Sequence, residues 1–182
     1  PYKPKRKTKA SVARENGLEP LAILLLKQED TSDPEKEAAA FINDTVKGTD
    51  EALQGARDIL AEMFSEDADI RAAMRKLFEE KALIISKLVP GKDAEAAKYR
   101  DYFAFTEPIH KVPSHRILAV LRGFLEGFLR ISIEPEEETA IELLEKKLVH
   151  AANSAALQVK KALRDSYKRL LQPGLETEMR TA

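Results

Sequence analysis

Leu53, Ala56, Ile59, Leu60, Met63 and Phe64 recur at the spacing of one helical face. That periodicity commits the surrounding chain to an amphipathic helix packed against a core. Ile70, Ala73, Met74, Leu77 and Phe78 repeat the pattern after the polar break Ser65-Glu66-Asp67, so two helices are predicted, over 50–64 and 67–80. Leu, Ala, Glu and Lys dominate a chain of 182 residues that has only seven Gly and nine Pro. Too few turn-formers remain for a barrel or sandwich, and the composition favours helices. The expected class is mainly α: a multi-helix domain with a helix-turn-helix-like subdomain and one or two short β segments.

The rest of the chain supplies the boundaries. Leu18 to Leu26 reads as a short buried helix entered near Pro20. Ser32-Asp33-Pro34-Glu35 is a start signal in two alternative ways: Ser32 caps while Glu35 reaches back, or Asp33 caps with Pro34 in the first turn. The helix behind it is expected to carry Ala38, Phe41 and Ile42 and to stop near Gly48. Leu83 to Val89 is short, β-branched and ended by Pro90-Gly91, which predicts a strand. Ala94 to Phe103 reads as helical, Thr106-Glu107-Pro108 as a loop, Ser114 as the cap of a helix with Ile117, Leu118 and Leu121 inward, and Phe128 to Ile133 as a second strand. Pro135 is expected to start the longest helix, with Ile141, Leu144, Leu148, Ala152, Ala155, Val159, Leu163 and Leu170 inward and Pro173-Gly174 breaking it. The organisation read from this is 1–31, a basic arm and first helix; 32–90, the helix-turn-helix-like subdomain; and 91–182, the remainder with a long C-terminal helix.

Charge is divided unevenly along this frame. Lys3, Lys5, Arg6, Lys7, Lys9 and Arg14 fall in the first 14 residues without one acid; the remainder has 24 basic residues against 31 acidic, a net of −7. A basic arm on an acidic body is a charge split associated with nucleic-acid contact. The second of the paired helices would be the recognition helix of a helix-turn-helix, and offers Arg71, Arg75 and Lys76. It also carries Asp67, Asp69, Glu79 and Glu80, a poor electrostatic match for a phosphate backbone. Lys98 to Phe105 interleaves aromatic and basic residues, which suits either stacking on bases or a core with polar tips.

Chemistry of other kinds finds little support. No Gly-rich phosphate loop, nucleophile elbow or His-Glu-x-x-His pair occurs, and His110 and His115 have no third ligand nearby. No enzyme, metal or cofactor is expected. The chain has no Cys, which excludes thiolate chemistry and agrees with a reducing, cytoplasmic setting. The apolar run Leu21 to Leu26 is far too short to span a bilayer, so no membrane contact is expected.

Several segments carry a resemblance. They are the opening Pro1 to Ala10 with Ala13 to Ala22, Lys98 to Phe103 with Glu107-Pro108, Pro113 to Arg116 with Leu121-Arg122-Gly123 and Gly127 to Arg130, and Leu170 to Glu176. In this order they resemble the bacterial Tex family of transcription accessory proteins across essentially the whole chain. The resemblance implies a piece of the family's N-terminal helical region, which embraces a helix-turn-helix-like module and precedes an RNase H-like domain, helix-hairpin-helix elements and an OB-fold that binds RNA. It implies as partners nucleic acid, bound weakly and mostly through that missing OB-fold, the remaining domains of the parent, and the transcription machinery. The residues expected to reach nucleic acid here are Lys3, Lys5, Arg6, Lys7, Lys9, Arg71, Arg75 and Lys76. The alternative is a scaffold that positions the other domains.

Overall fold

A computed structural model describes residues 7–181. The protein is mainly helical, with nine α-helices and one three-stranded sheet among the described residues. The described residues form two compact units, one from residues 7–72 and 141–171, the other from 73–140 and 172–181.

The first unit is built around α4 (Thr49–Glu66), the helix of the opening periodicity. It packs against α1 (Lys9–Glu15), α2 (Glu19–Lys27), α3 (Pro34–Ala39) and α8 (Ser154–Ser166). Being surrounded requires small residues, and α4 buries Ala52, Gly55, Ala56 and Ala61 beside Leu53, Ile59, Leu60 and Phe64. On α8, Ala155, Ala156 and Ala162 are likewise buried, which allows two helix backbones to approach closely. A side chain on Gly55 would put its Cβ 2.3 Å from Leu18 Cδ1. The second start alternative is the one adopted: Asp33 Oδ1 accepts from the Lys36 amide at 3.3 Å with Pro34 in the first turn.

Two expectations fail in this unit for identifiable reasons, and a third fails where the chain leaves it. The α3 helix ends at Ala39, well short of Gly48, because Asn43 Oδ1 accepts from the Thr45 and Val46 amides, both at 2.9 Å, and turns the chain. The long C-terminal helix is two: α7 (Glu137–Leu148) and α8, parted at Val149–Asn153. Gln28, buried in a left-handed conformation at φ 54, holds the break. Its Nε2 donates to Leu148 O at 2.7 Å and its Oε1 accepts from the His150 amide at 3.0 Å. Asn153 then caps α8 through the Ala156 amide, 2.9 Å, and donates to Gln28 O, 2.8 Å. Nor do Pro173-Gly174 end the helix. A π-helical stretch over Tyr167–Leu171 leads into α9 (Gln172–Thr181), where Pro173 sits in the first turn. The widened turn accommodates a residue that has no N–H to donate.

In the second unit the central strand β1 (Leu83–Leu88) pairs antiparallel with β2 (Ala104–Pro108) and β3 (Leu129–Glu134), in the order β2-β1-β3. Ser86 lies opposite Phe105 and Ile131, so Ile84, Ser86, Phe105, Ile131 and Ile133 share one face. Helix α6 (Ser114–Leu125) covers that face through Val120 and Ile117. Residues 104–108 are thus a strand and not a loop. The strand is at the sheet's edge, where Pro108 forfeits no interior ladder bond. Ser114 opens α6 but does not cap it; the cap position is Pro113, which has no side-chain bond to give. A six-residue 3₁₀ segment, Ala97–Tyr102, replaces the expected longer helix. Helix α5 (Ala68–Lys81) contributes Phe78, buried beside Leu175 of α9, while Leu77 is half-buried.

Candidate functional site

The basic arm enters the described residues at Lys7. Thr8 and Ser11 form a capping box that starts α1, so the arm turns helical at Lys9. Thr8 Oγ1 also donates to Glu62 Oε2 at 2.9 Å, and Arg14 Nη1 to Glu62 Oε1 at 2.9 Å, which fastens α1 to α4. Arg14 is thereby used inside the unit. Lys7 lies 3.7 Å from Glu15 with both side chains mostly exposed, a pair of small energetic weight. Lys9 faces solvent. Lys3, Lys5 and Arg6 lie outside the described residues.

Helix α5 holds the other three candidates. Arg71 Nη1 donates to Ser65 O at 3.0 Å and so satisfies a carbonyl at the end of α4. Arg75 meets Glu178 of α9 in a two-pronged pair, Nε to Oε2 at 3.0 Å and Nη2 to Oε1 at 3.3 Å. The hydrogen bonds and charge of Glu178 hold the Arg75 guanidinium above its ordinary pKa. Lys76 is exposed. The structure therefore does not gather Arg71, Arg75 and Lys76 into one basic face directed at solvent. In the Lys98–Phe105 segment Tyr99 is buried, and the half-buried Tyr102 and Phe105 pack edge to face at 5.2 Å. Tyr99 Oη donates to Glu126 Oε2 at 2.8 Å and Lys98 stands 3.2 Å from the same oxygen, which together keep the Glu126 carboxyl below its usual range.

What stands out in the second unit was not foreseen. Leu118 and Leu121 were expected inward, yet Leu118 is 65% exposed and Leu125 81%. Val120 and Gly123 face the sheet instead, and Gly123 is needed there: a Cβ would fall 2.4 Å from Leu129 Cδ1 and 2.8 Å from its Cγ. That close approach fixes the helix rotation and turns the leucines outward. Beside them opens a cavity of about 250 Å³, floored by Ile84, Ile131 and Ile133 of the sheet. Ile117, Leu121 and Phe124 form its α6 wall and Met179 and Arg180 the α9 wall. Arg180 stacks on Phe124 with its guanidinium carbon 5.5 Å from the ring centroid, and donates to Ile131 O at 2.6 Å and Glu176 Oε1 at 3.2 Å. Arg116 is paired with Glu107. An apolar run at helical spacing is ordinarily read as core, and the signal that could have corrected it was its width: α6 is apolar over more of its circumference than one sheet can cover.

His110 bonds Glu79 O and has no metal-like surroundings; among the described residues no group of three or more His, Asp or Glu could hold a metal ion. No helix among them is long and apolar enough to cross a membrane.

Comparison with known proteins adds a family to this geometry. A family model described as Tex central region-like matches residues 29–181. The transcriptional accessory protein Tex of Neisseria gonorrhoeae is 41% identical over 170 residues, covering 92% of this chain and 22% of that protein. Protein tex of Bordetella pertussis is 44% identical over 144 residues, 78% of this chain and 18% of its own length. Protein YhgF of Escherichia coli is 46% identical over 140 residues, 76% of this chain and 18% of its own length. The chain spans about a fifth of the length of these relatives.

Proposed function

The chain belongs to the Tex family of transcription accessory proteins, and we propose that it serves there as an architectural module, with nucleic-acid contact confined to its basic arm. One observation carries this reading: Arg75, the central cation of the candidate recognition helix, is tied to Glu178 within its own unit. A guanidinium engaged in a two-pronged pair must surrender it before reaching a phosphate. The exposed apolar surface of α6 supports the same view, because such surface is suited to a protein partner and not to a nucleic-acid backbone.

A weak nucleic-acid role for the arm rests on its own observation, six basic residues and no acid in the first 14. Labelled single- and double-stranded RNA and DNA titrated into the chain at two salt concentrations test both statements. The expected dissociation constants are about 10⁻⁴–10⁻⁶ M and steeply salt-dependent. Replacing Lys3, Lys5, Arg6, Lys7 and Lys9 with Ser should remove most of the binding, and Arg75→Ala should leave it unchanged. Binding that survives the arm substitution and is lost with Arg75→Ala would instead establish the helix-turn-helix-like surface over 32–90 as the contact.

A further inference from the structure

Strand β3 lies at an edge of the sheet, and its ladder fixes which of its backbone groups face outward. Phe128 O accepts from the Val89 amide at 2.9 Å, so residues 128, 130, 132 and 134 turn their backbone groups toward β1 and residues 129, 131 and 133 turn theirs away. An open edge of this kind is a template for another strand. Two of the outward groups are taken by one helix, α9. Glu176 Oε1 accepts from the Ile133 amide at 2.7 Å, and Arg180 Nη2 donates to Ile131 O at 2.6 Å. The spacings agree: four residues of helix advance about 6 Å and two residues of strand about 6.6 Å. Arg180 also donates to Glu176 at 3.2 Å, Gln172 Nε2 donates to the second Glu176 oxygen at 3.3 Å, and Arg180 stacks on Phe124, so both side chains are held in place. The other edge is blunted differently. On β2, Phe103 O accepts from the Leu88 amide and the Ile109 amide donates to Ala82 O, which turns Pro108, with no N–H to give, outward.

We propose that the Glu176–Arg180 pair guards β3 against the β3 of a second copy of this chain. The sequence Arg130-Ile131-Ser132-Ile133-Glu134 complements itself when run antiparallel. With Ser132 opposite its own counterpart, Ile131 lies opposite Ile133 of the second copy, and the two exchange both backbone bonds. Those bonds use the Ile131 carbonyl and the Ile133 amide, the two groups that Arg180 and Glu176 occupy. Guard and second copy thus compete for the same atoms, the side chains supplying one N–H and one oxygen in place of a strand backbone. This coincidence of register selects the second copy from other extended chains. The flanking charges agree with it, since the same register sets Arg130 opposite Glu134 of the second copy and Glu134 opposite its Arg130.

Exchanging the pair, Glu176→Arg with Arg180→Glu, tests this. The exchange keeps the net charge and an ion pair one turn apart, but sets a donor against the Ile133 amide and an acceptor against the Ile131 carbonyl. In sedimentation velocity the exchanged variant is expected to dimerise at least about tenfold more strongly than the native chain. The chain has no Cys, so a single one reports the contact. Ser132→Cys faces its own counterpart at about 4.5 Å between Cα atoms, within reach of a disulfide. Under oxidation it should cross-link the exchanged variant and not the native chain. Arg130→Cys, four residues out of register with its counterpart, should cross-link neither. Arg180→Met gives up only the donor and should act in the same direction to a smaller degree, which covers the case in which the exchanged variant does not fold; an unchanged helical circular-dichroism spectrum identifies a folded variant. A folded variant of either kind that shows no dimer at any loading concentration overturns the proposal, as does a native chain that already cross-links through Ser132→Cys. A dimer that cross-links equally through Arg130→Cys and Ser132→Cys overturns it too, because another surface then holds the two copies together.

Discussion

Gln28 combines a left-handed backbone at φ 54 with 3% exposure and hydrogen bonds to three residues of the α7–α8 junction, Leu148, His150 and Asn153. A residue with a Cβ rarely accepts that conformation, and here the side-chain amide compensates by satisfying the last carbonyl of α7 and the amide that follows. Removing it takes the partner from Leu148 O and from the His150 amide at a partly buried site. Gln28→Ala is therefore expected to cost about 2–3 kcal/mol in chemical denaturation. Gln28→Gly should cost less by about 1 kcal/mol, because glycine is at ease at this φ. If Ala and Gly prove equal, the backbone at this position is unstrained and the argument from φ is wrong.

Among the elements, α6 shows how a single contact sets a helix's orientation. Gly123→Ala drives a methyl into Leu129, a buried residue struck at both Cδ1 and Cγ, so the clash cannot be relieved by swinging one terminal methyl. Overpacking of this kind costs about 1–3 kcal/mol, against about 1 kcal/mol returned by better helix propensity. Gly55→Ala meets only the far end of Leu18 at the closest point and should be milder. Thermal melts of the two variants side by side check the order; a more stable Gly123→Ala would mean that the α6–β3 approach is looser than described. The elements themselves were largely legible: α2, α4, α5, β1 and β3 lie close to where periodicity and β-branching put them. The failures have several causes. Gln28 meets the α7–α8 break across 120 residues of sequence, which leaves no local pattern, and Gly123 meets Leu129 across the turn from α6 into β3, a contact that the periodicity of α6 alone does not carry. Strand β2 was hidden because Thr106-Glu107-Pro108 has turn composition but gains a ladder partner in β1. The cavity beside α6 was hidden for the converse reason, an apolar helix face that finds too little to cover it.

At the scale of the whole molecule, both units are discontinuous in sequence, the first assembled from residues 7–72 and 141–171 and the second from 73–140 and 172–181. In the first, α8 supplies Ala155, Val159, Ala162 and Leu163 to the core around α4, and no residue before 141 can replace them. Truncation after residue 140 removes α8 from the first unit and α9 from the second, so α4 and the β1–α6–β3 segment should both open to proteolysis, whereas truncation after residue 171 should open only the latter, which loses the Glu176 and Arg180 bonds to β3; unchanged protection of β3 in the second truncation would refute this division of the core. Synthesis meets the same situation in every copy made. The strands are complete once residue 134 has been added, but α4 waits for the 37 residues from 135 to 171. At about 5–20 residues per second that is about 2–7 s. During this interval a ribosome-bound chain displays the apolar side of α4 to solvent.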